Sequence, residues 1–365
     1  MVPPVAAGTG MTRPARHHRG PFRVFLLNLP FKERLIRRYM CSYQSPNILF
    51  PPLELTALAG MARDRKGCAV DLLDAVAERA GMGRVVSRVR AFRPDLVVTL
   101  TGFECLDSDA AALRALKARC PGIPVALTGY YPTLFPETFL ENVPVDIILR
   151  GEPDLVFADL CDCLAGDGDL RRVQGIAYRD GDRPVVQGEP RRIADLDALP
   201  RPAHDLLPIR RYGEPFFARP YAAVQSARGC PFGCAYCVRS YGRKLAAKSP
   251  ETVIDEIRFL RERFGIRALR FVDDTFAAVR DRAIAICRRM AREFPGLAWS
   301  CLSRATLLDD DVLHWMRRAG CRRLYLGIES GSQRIADAYG KGMDVAEALA
   351  ACRRAKRRGF ETLGS

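Results

Sequence analysis

A chain of 365 residues, 48% hydrophobic and 27% charged, is long enough for two domains with separate cores and has the make-up of an ordinary globular protein; no apolar run approaches the ~20 residues of a membrane-spanning helix. The 57 Lys and Arg against 42 Asp and Glu leave a formal charge of +15. The arginines lie on amphipathic patterns such as IRFLRERFG and ACRRAKRRG, with no aromatic-basic platform to stack bases, so the excess reads as a solvated basic face rather than a nucleic-acid site. Thirteen cysteines, an odd number, mostly stand singly in apolar segments, the pattern of reduced cytoplasmic thiols rather than of a disulfide framework. Cys68, Cys105, Cys120, Cys287, Cys301, Cys321 and Cys352 read as small core or helix residues.

Residues 1–21, rich in Pro, Gly and Arg and without the apolar core of a signal peptide, read as a disordered leader, with Met11 an alternative start. Strand and helix patterns then alternate: strand 22–29, helix 53–66 behind Pro51 and Pro52, strand 69–75, helix near 79–92, strand 95–101, helix near 107–119, strand 124–129, helix near 133–142, strand 146–151 and helix near 153–164. Five strands with short connections predict a flavodoxin-like, doubly wound parallel sheet over 22–170, with its ligand beyond the carboxyl ends of the strands. A hairpin around Asp180-Gly181-Asp182 and a Pro-rich stretch at 196–215 read as hairpin and ordered linker over 171–220. The alternation restarts at 221: strand 222–228, a helix capped by Ser249 with Pro250 at its first position, strand 268–274, helix 279–294, strand 297–303, helix 309–319, strand 322–329, and helices near 333–339 and 344–358. FETLGS starts a fifth strand.

Residues 230–237 read Cys-Pro-Phe-Gly-Cys-Ala-Tyr-Cys, C-x3-C-x2-C directly after a strand. Three thiolates so close face a common centre only if the loop curls back, for which Pro231 and Gly233 offer the turn. Soft thiolates select an iron–sulfur cluster or zinc, and zinc normally takes a fourth Cys or His nearby. Three ligands to a cubane leave one iron open, a catalytic arrangement.

This loop resembles the signature of the radical S-adenosylmethionine (SAM) superfamily, with an aromatic before the last Cys. The resemblance implies a 4Fe–4S cluster on Cys230, Cys234 and Cys237, with Tyr236 near the adenine of SAM. It also implies cofactor contacts at the ends of the barrel strands: Asp273 and Asp274 after the second, Arg304 after the third, suited to the SAM carboxylate, and Glu329 and Ser330 in Gly327-Ile328-Glu329-Ser330-Gly331 after the fourth. Lys341-Gly342 also fits the pattern, or simply ends a helix. For the acids the alternative is helix N-capping.

The first half resembles the cobalamin (B12)-binding domain of class B radical SAM enzymes through Pro51-Pro52-Leu53-Glu54-Leu55, Leu72-Leu73-Asp74, Pro94-Asp95-Leu96-Val97, Thr128-Gly129-Tyr130-Tyr131-Pro132-Thr133 and Arg150-Gly151-Glu152-Pro153. The resemblance makes Gly129, Tyr130, Thr133, Gly151 and Glu152 cofactor-binding candidates. Two departures stand out. The histidine motif that ligates cobalt in many B12 proteins is missing, since His17, His18, His204 and His314 are the only histidines. Tyr130 stands where the family has a second glycine, and its ring would crowd the corrin.

The fold so implied is α/β: a flavodoxin-like domain followed by a partial radical SAM barrel over 221–365, incomplete at its C-terminus because the chain stops early in the fifth strand. The implied activity is reductive cleavage of SAM to a 5′-deoxyadenosyl radical, with cobalamin-dependent methyl transfer to an unactivated carbon of a small-molecule substrate. An external donor such as flavodoxin or ferredoxin supplies the electron. The alternatives are a radical cyclase or rearrangement enzyme of the same architecture, an inactive truncated cobalamin-binding protein, and a zinc-stabilised nucleic-acid-binding protein.

Overall fold

The computed structural model describes residues 20–39, 42–166, 168–238 and 241–364; residues 1–19 of the expected leader lie outside them. Two compact units emerge. The first extends to Ile193 and takes in Leu199–Arg211, and the second comprises Ala194–Ala198 and the chain from Tyr212 onward. Among the described residues no helix is long and apolar enough to cross a membrane.

The first unit holds β1 (Arg23–Asn28), β2 (Leu35–Arg37), β3 (Ser42–Gln44), β4 (Ala69–Asp74), β5 (Leu96–Leu100), β6 (Val125–Thr128), β7 (Ile147–Leu149), β8 (Ile176–Asp180) and β9 (Arg183–Gln187). Its main sheet runs β4-β1-β5-β6-β7-β8-β9. The five expected strands are parallel in the flavodoxin order, and β5 to β7 are buried throughout, as helices on both faces require.

Three features depart from the sequence reading. The hairpin assigned to the inter-domain stretch is two further strands, for β8 pairs antiparallel with β7. Ile176, Ala177 and Tyr178 are thereby buried, and a hairpin with that apolar content is not stable alone. Residues 30–50, read without any element, contain the antiparallel pair β2–β3. The helix near 133–142 is two, Tyr130–Leu134 and Pro136–Asn142, because Pro136 drives Phe135 out of helical geometry, to φ −125° and ψ 53°.

The second unit holds β10 (Tyr221–Val224), β11 (Ala227–Arg228), β12 (Ala246–Ala247), β13 (Ala268–Phe271), β14 (Ala298–Ser303), β15 (Cys321–Leu326) and β16 (Glu361–Gly364). An open parallel sheet runs β10-β13-β14-β15-β16, so FETLGS does supply a fifth strand, paired with β15. Ser249 caps the helix Pro250–Phe264 by accepting from the Thr252 N–H. Phe271, Phe276 and Trp299 pack ring on ring, with centroids 4.8–5.3 Å apart. Glu214 ties the strands together: Tyr221, Ser300 and Tyr325 donate hydroxyls to it, and Arg323 a guanidinium N–H at 2.5 Å. Burial opposes its charge, yet these donors and Arg270 hold its carboxyl below the ordinary range.

Candidate functional site

The expected strand 222–228 is broken in two. The Asp273 carboxylate accepts from the N–H groups of Ser226 (2.6 Å) and Ala227 (3.0 Å) and from the Ser226 hydroxyl (2.5 Å). This pulls the chain off the sheet after β10 and into β11, which pairs antiparallel with β12. The cysteine loop is thus the closed end of a ribbon. Gly229, at φ 87°, makes the entry: a Cβ there would lie 2.3 Å from the Lys244 carbonyl oxygen. Gly233, expected to be the demanding glycine, has an ordinary φ and no crowding within 3.9 Å. The Cys230 N–H donates to the Gly242 carbonyl at 3.1 Å, the Cys237 N–H to the Cys234 carbonyl at 3.3 Å, and the Ala235 N–H to the Tyr339 carbonyl at 2.8 Å.

Cys230 and Cys234 are half-buried and Cys237 is exposed. Among the described residues no three His, Cys, Asp or Glu side chains converge on a single ion. A cubane takes each of three thiolates on a different iron. Three thiols on one turned loop, with no carboxylate or imidazole among them, fit a cluster with one open iron.

Around the loop stand the other candidates of this unit. Tyr236 lies on the loop itself, and Lys341, 5% exposed, donates to its hydroxyl at 3.0 Å and to Glu329 Oε1 at 3.2 Å. Burial, then Glu329 and Cys234, push the Tyr236 phenol well above its ordinary range. Glu329 holds φ 64°, a left-handed backbone that costs a non-glycine residue ~1–2 kcal/mol and marks functional turns. Ser330 accepts from the Ser332 N–H at 3.0 Å.

The sequence makes Arg304 a residue suited to the SAM carboxylate. In the structure Nη1 reaches Cys234 Sγ at 3.6 Å, Nη2 donates to the carbonyls of Lys341 (2.5 Å) and Gly342 (3.2 Å), and the guanidinium lies 4.0 Å over the Phe232 ring. Nε alone is buried without a partner, as is the Ser303 hydroxyl. Asp273 is not a helix cap and is committed to the ribbon, while the backbone oxygen of Asp274 accepts from Thr275, whose hydroxyl lies 3.6 Å from Cys230 Sγ. Lys341, which fits the family pattern or ends a helix on the sequence alone, was not among the expected cofactor contacts. Its signal was a lone lysine between two glycines, and Gly340 and Gly342 both have positive φ.

In the first unit the candidates gather at the strand ends, on Thr133. Its Oγ1 meets the Tyr39 hydroxyl at 2.9 Å, donates to the Gly129 carbonyl at 2.9 Å and accepts from the Gly151 N–H at 3.1 Å. Gly129, at φ 146°, admits no side chain: a Cβ would lie 2.8 Å from the Thr101 carbonyl. Gly151, at φ 73°, would place one 2.5 Å from the Arg191 carbonyl. The Glu152 N–H donates to that carbonyl, and its carboxylate lies 3.8 Å from Arg192. The Tyr130 N–H donates to the Tyr39 carbonyl, and its ring meets Tyr131 edge-on, next to exposed Phe103.

The β2–β3 hairpin follows β1. Arg37, wholly buried, grips Asp109 with two N–H groups (2.6 and 3.1 Å) and also donates to Asn28 and the Leu29 carbonyl. Thr101 and Cys105 donate to the same carboxylate. Burial and the charge of Asp109 hold the Cys105 thiol above its ordinary range, and so protonated.

Comparison with known proteins matches two family profiles to these units: the Radical SAM superfamily over residues 224–365 and the B12 binding domain over 46–161. An uncharacterized methyltransferase of Pyrococcus horikoshii, PH0819, is 33% identical over 346 residues, which are 93% of this chain and 72% of that protein. The chain belongs to the radical SAM superfamily, in its B12-binding branch. This B12-binding radical SAM protein is also similar to the anaerobic magnesium-protoporphyrin IX monomethyl ester cyclase of Cereibacter sphaeroides, at 29% identity over 82% of this chain and 50% of that one. Among solved structures, the cobalamin-dependent SAM radical enzyme OxsB, with aqua-cobalamin and SAM bound, superposes with a TM-score of 0.78 at 18% identity, over 95% of this chain and 49% of that chain. The methyltransferase TsrM of Kitasatospora setae does so with 0.74 at 18% identity, over 94% and 67%. At such identities the likeness is one of fold.

Proposed function

We propose that this protein is a cobalamin-dependent radical SAM methyltransferase, with the cluster on Cys230, Cys234 and Cys237 and the corrin at the Gly129–Thr133 and Gly151–Glu152 strand ends. The carrying observation is the ribbon-closed three-thiol loop with Arg304, Glu329, Lys341 and Tyr236 gathered on it; the relationship to PH0819 supports methyl transfer as the outcome. When bound, the cluster supplies an electron to split the SAM sulfonium and the corrin carries the methyl group. The chain's own residues bind and orient. Lys341 holds the Glu329 carboxylate and the Tyr236 hydroxyl in register, from where Glu329 would meet the ribose or amino group of SAM and Tyr236 would lie near its adenine. Asp273 fixes the ribbon from which the thiols project. Thr133 locks the turns that carry Gly129 and Gly151. The substrate is a small molecule with an unactivated carbon, the electron comes from a protein such as flavodoxin or ferredoxin, and the setting is the cytoplasm.

Ring-closing chemistry is the second reading, favoured by the cyclase relatives. Anaerobic reconstitution tests both. About four irons per chain, a ~400 nm band, a retained corrin absorbance and release of 5′-deoxyadenosine with SAM and a strong reductant are the expected results. S-adenosylhomocysteine formed alongside marks methyl transfer, and its absence marks the alternative. Stoichiometric zinc without iron would sink the proposal.

A further inference from the structure

We infer that Arg304 is a positioning residue of the cluster, one that donates a hydrogen bond to the ligand sulfur of Cys234 and so holds the reduction potential up. This rests on the reading of the three cysteines as cluster ligands. The guanidinium is fixed on three sides. Nη2 is held by the carbonyls of Lys341 and Gly342, the plane lies over Phe232 (two residues before Cys234), and Nη1 is left 3.6 Å from Cys234 Sγ. Arg304 is only 7% exposed, so water screens its charge little. Reduction adds one electron, taken from the external donor, and no bond to Arg304 is made or broken. A fixed cation and an N–H donor at a ligand sulfur stabilise the more negative, reduced state above the oxidised one. Such a tie lets Arg304 serve the cluster whether or not SAM is present, a role different from recognising the SAM carboxylate.

The test is an EPR-monitored redox titration of the full chain after reconstitution, without SAM. In Arg304→Met the iron content should match the wild-type protein, while the reduction equilibrium shifts about ten-fold toward the oxidised cluster, ~59 mV more negative for a one-electron couple. Arg304→Lys, which keeps the charge and loses the fork, should fall between the two. An unchanged midpoint in an iron-replete Arg304→Met protein overturns the inference. If Arg304→Met takes up no iron, wild-type protein grown on 15N-arginine decides: a nitrogen hyperfine coupling to the reduced cluster supports the contact, and its absence refutes it. A wild-type chain that binds no cluster at all fails earlier, at iron analysis, and takes the cysteine-loop reading down as well.

Discussion

Replacing Asp109 by Ala strands the Arg37 guanidinium in the first unit. Both side chains are at most 1% exposed, and the partners Arg37 keeps among the described residues, Asn28, the Leu29 carbonyl and the Phe31 ring 5.9 Å away, carry no negative charge. Breaking a buried pair by removing one member costs ~3–5 kcal/mol, because the other charge stays buried without compensation. At 1.4 kcal/mol per ten-fold, amides of β1 and β5 that exchange only through unfolding of this unit should exchange about two to nearly four powers of ten faster. Hydrogen exchange read by mass spectrometry on peptides from these strands gives the value for this unit, where a single melting temperature for a two-unit chain does not. The double variant Arg37→Met with Asp109→Leu removes both charges and should recover most of the loss, since apolar replacement of a buried pair is often neutral or better. An Asp109→Ala protein that loses less than ~1 kcal/mol, or a double variant as unstable as the worse single, refutes the argument that a charge pair pins the β2–β3 hairpin.

Gly151→Ala should destabilise the first unit by more than the ~1–2 kcal/mol of a left-handed residue, because its Cβ also meets the Arg191 carbonyl at 2.5 Å. Gly181→Ala, at φ 61° in open space, shows the backbone cost alone, and equal urea midpoints for the two would remove the clash from the account. Gly229→Ala, whose Cβ would lie 2.3 Å from the Lys244 carbonyl, should lose most of its iron uptake on reconstitution while keeping wild-type far-UV circular dichroism; full uptake would show that the ribbon entry does not shape the loop. Arg289 above all, with Arg258 and Arg292, lowers the Glu293 carboxyl to about 2, against an ordinary ~4.3. Its folded pKa is depressed, so its contribution is complete above the unfolded value and is lost as pH falls toward 2. The stability gap between wild type and Glu293→Gln should therefore narrow between pH 4.5 and 2, and a gap that stays constant contradicts the ion cage.

The local sequence alone determined the α/β alternation, the five parallel strands of the first unit, the Ser249 cap and the cysteine spacing. Each is written in neighbouring residues: apolar runs of strand length, a Ser-Pro helix start, three thiols within eight residues. What stands far apart in the chain was decided only by tertiary structure. Asp273 looked like a helix-start acid but serves Ser226 and Ala227, 47 and 46 positions earlier. Arg37 meets Asp109 across 72 residues, and a lone arginine or aspartate announces no partner. Arg304 carries a fork suited to a carboxylate in any sequence, and only packing against Phe232, Cys234 and Lys341 turns it toward the cysteine loop. Short-range patterns constrain the backbone residue by residue, whereas the destination of a buried charge depends on which strand ends the completed sheet brings together.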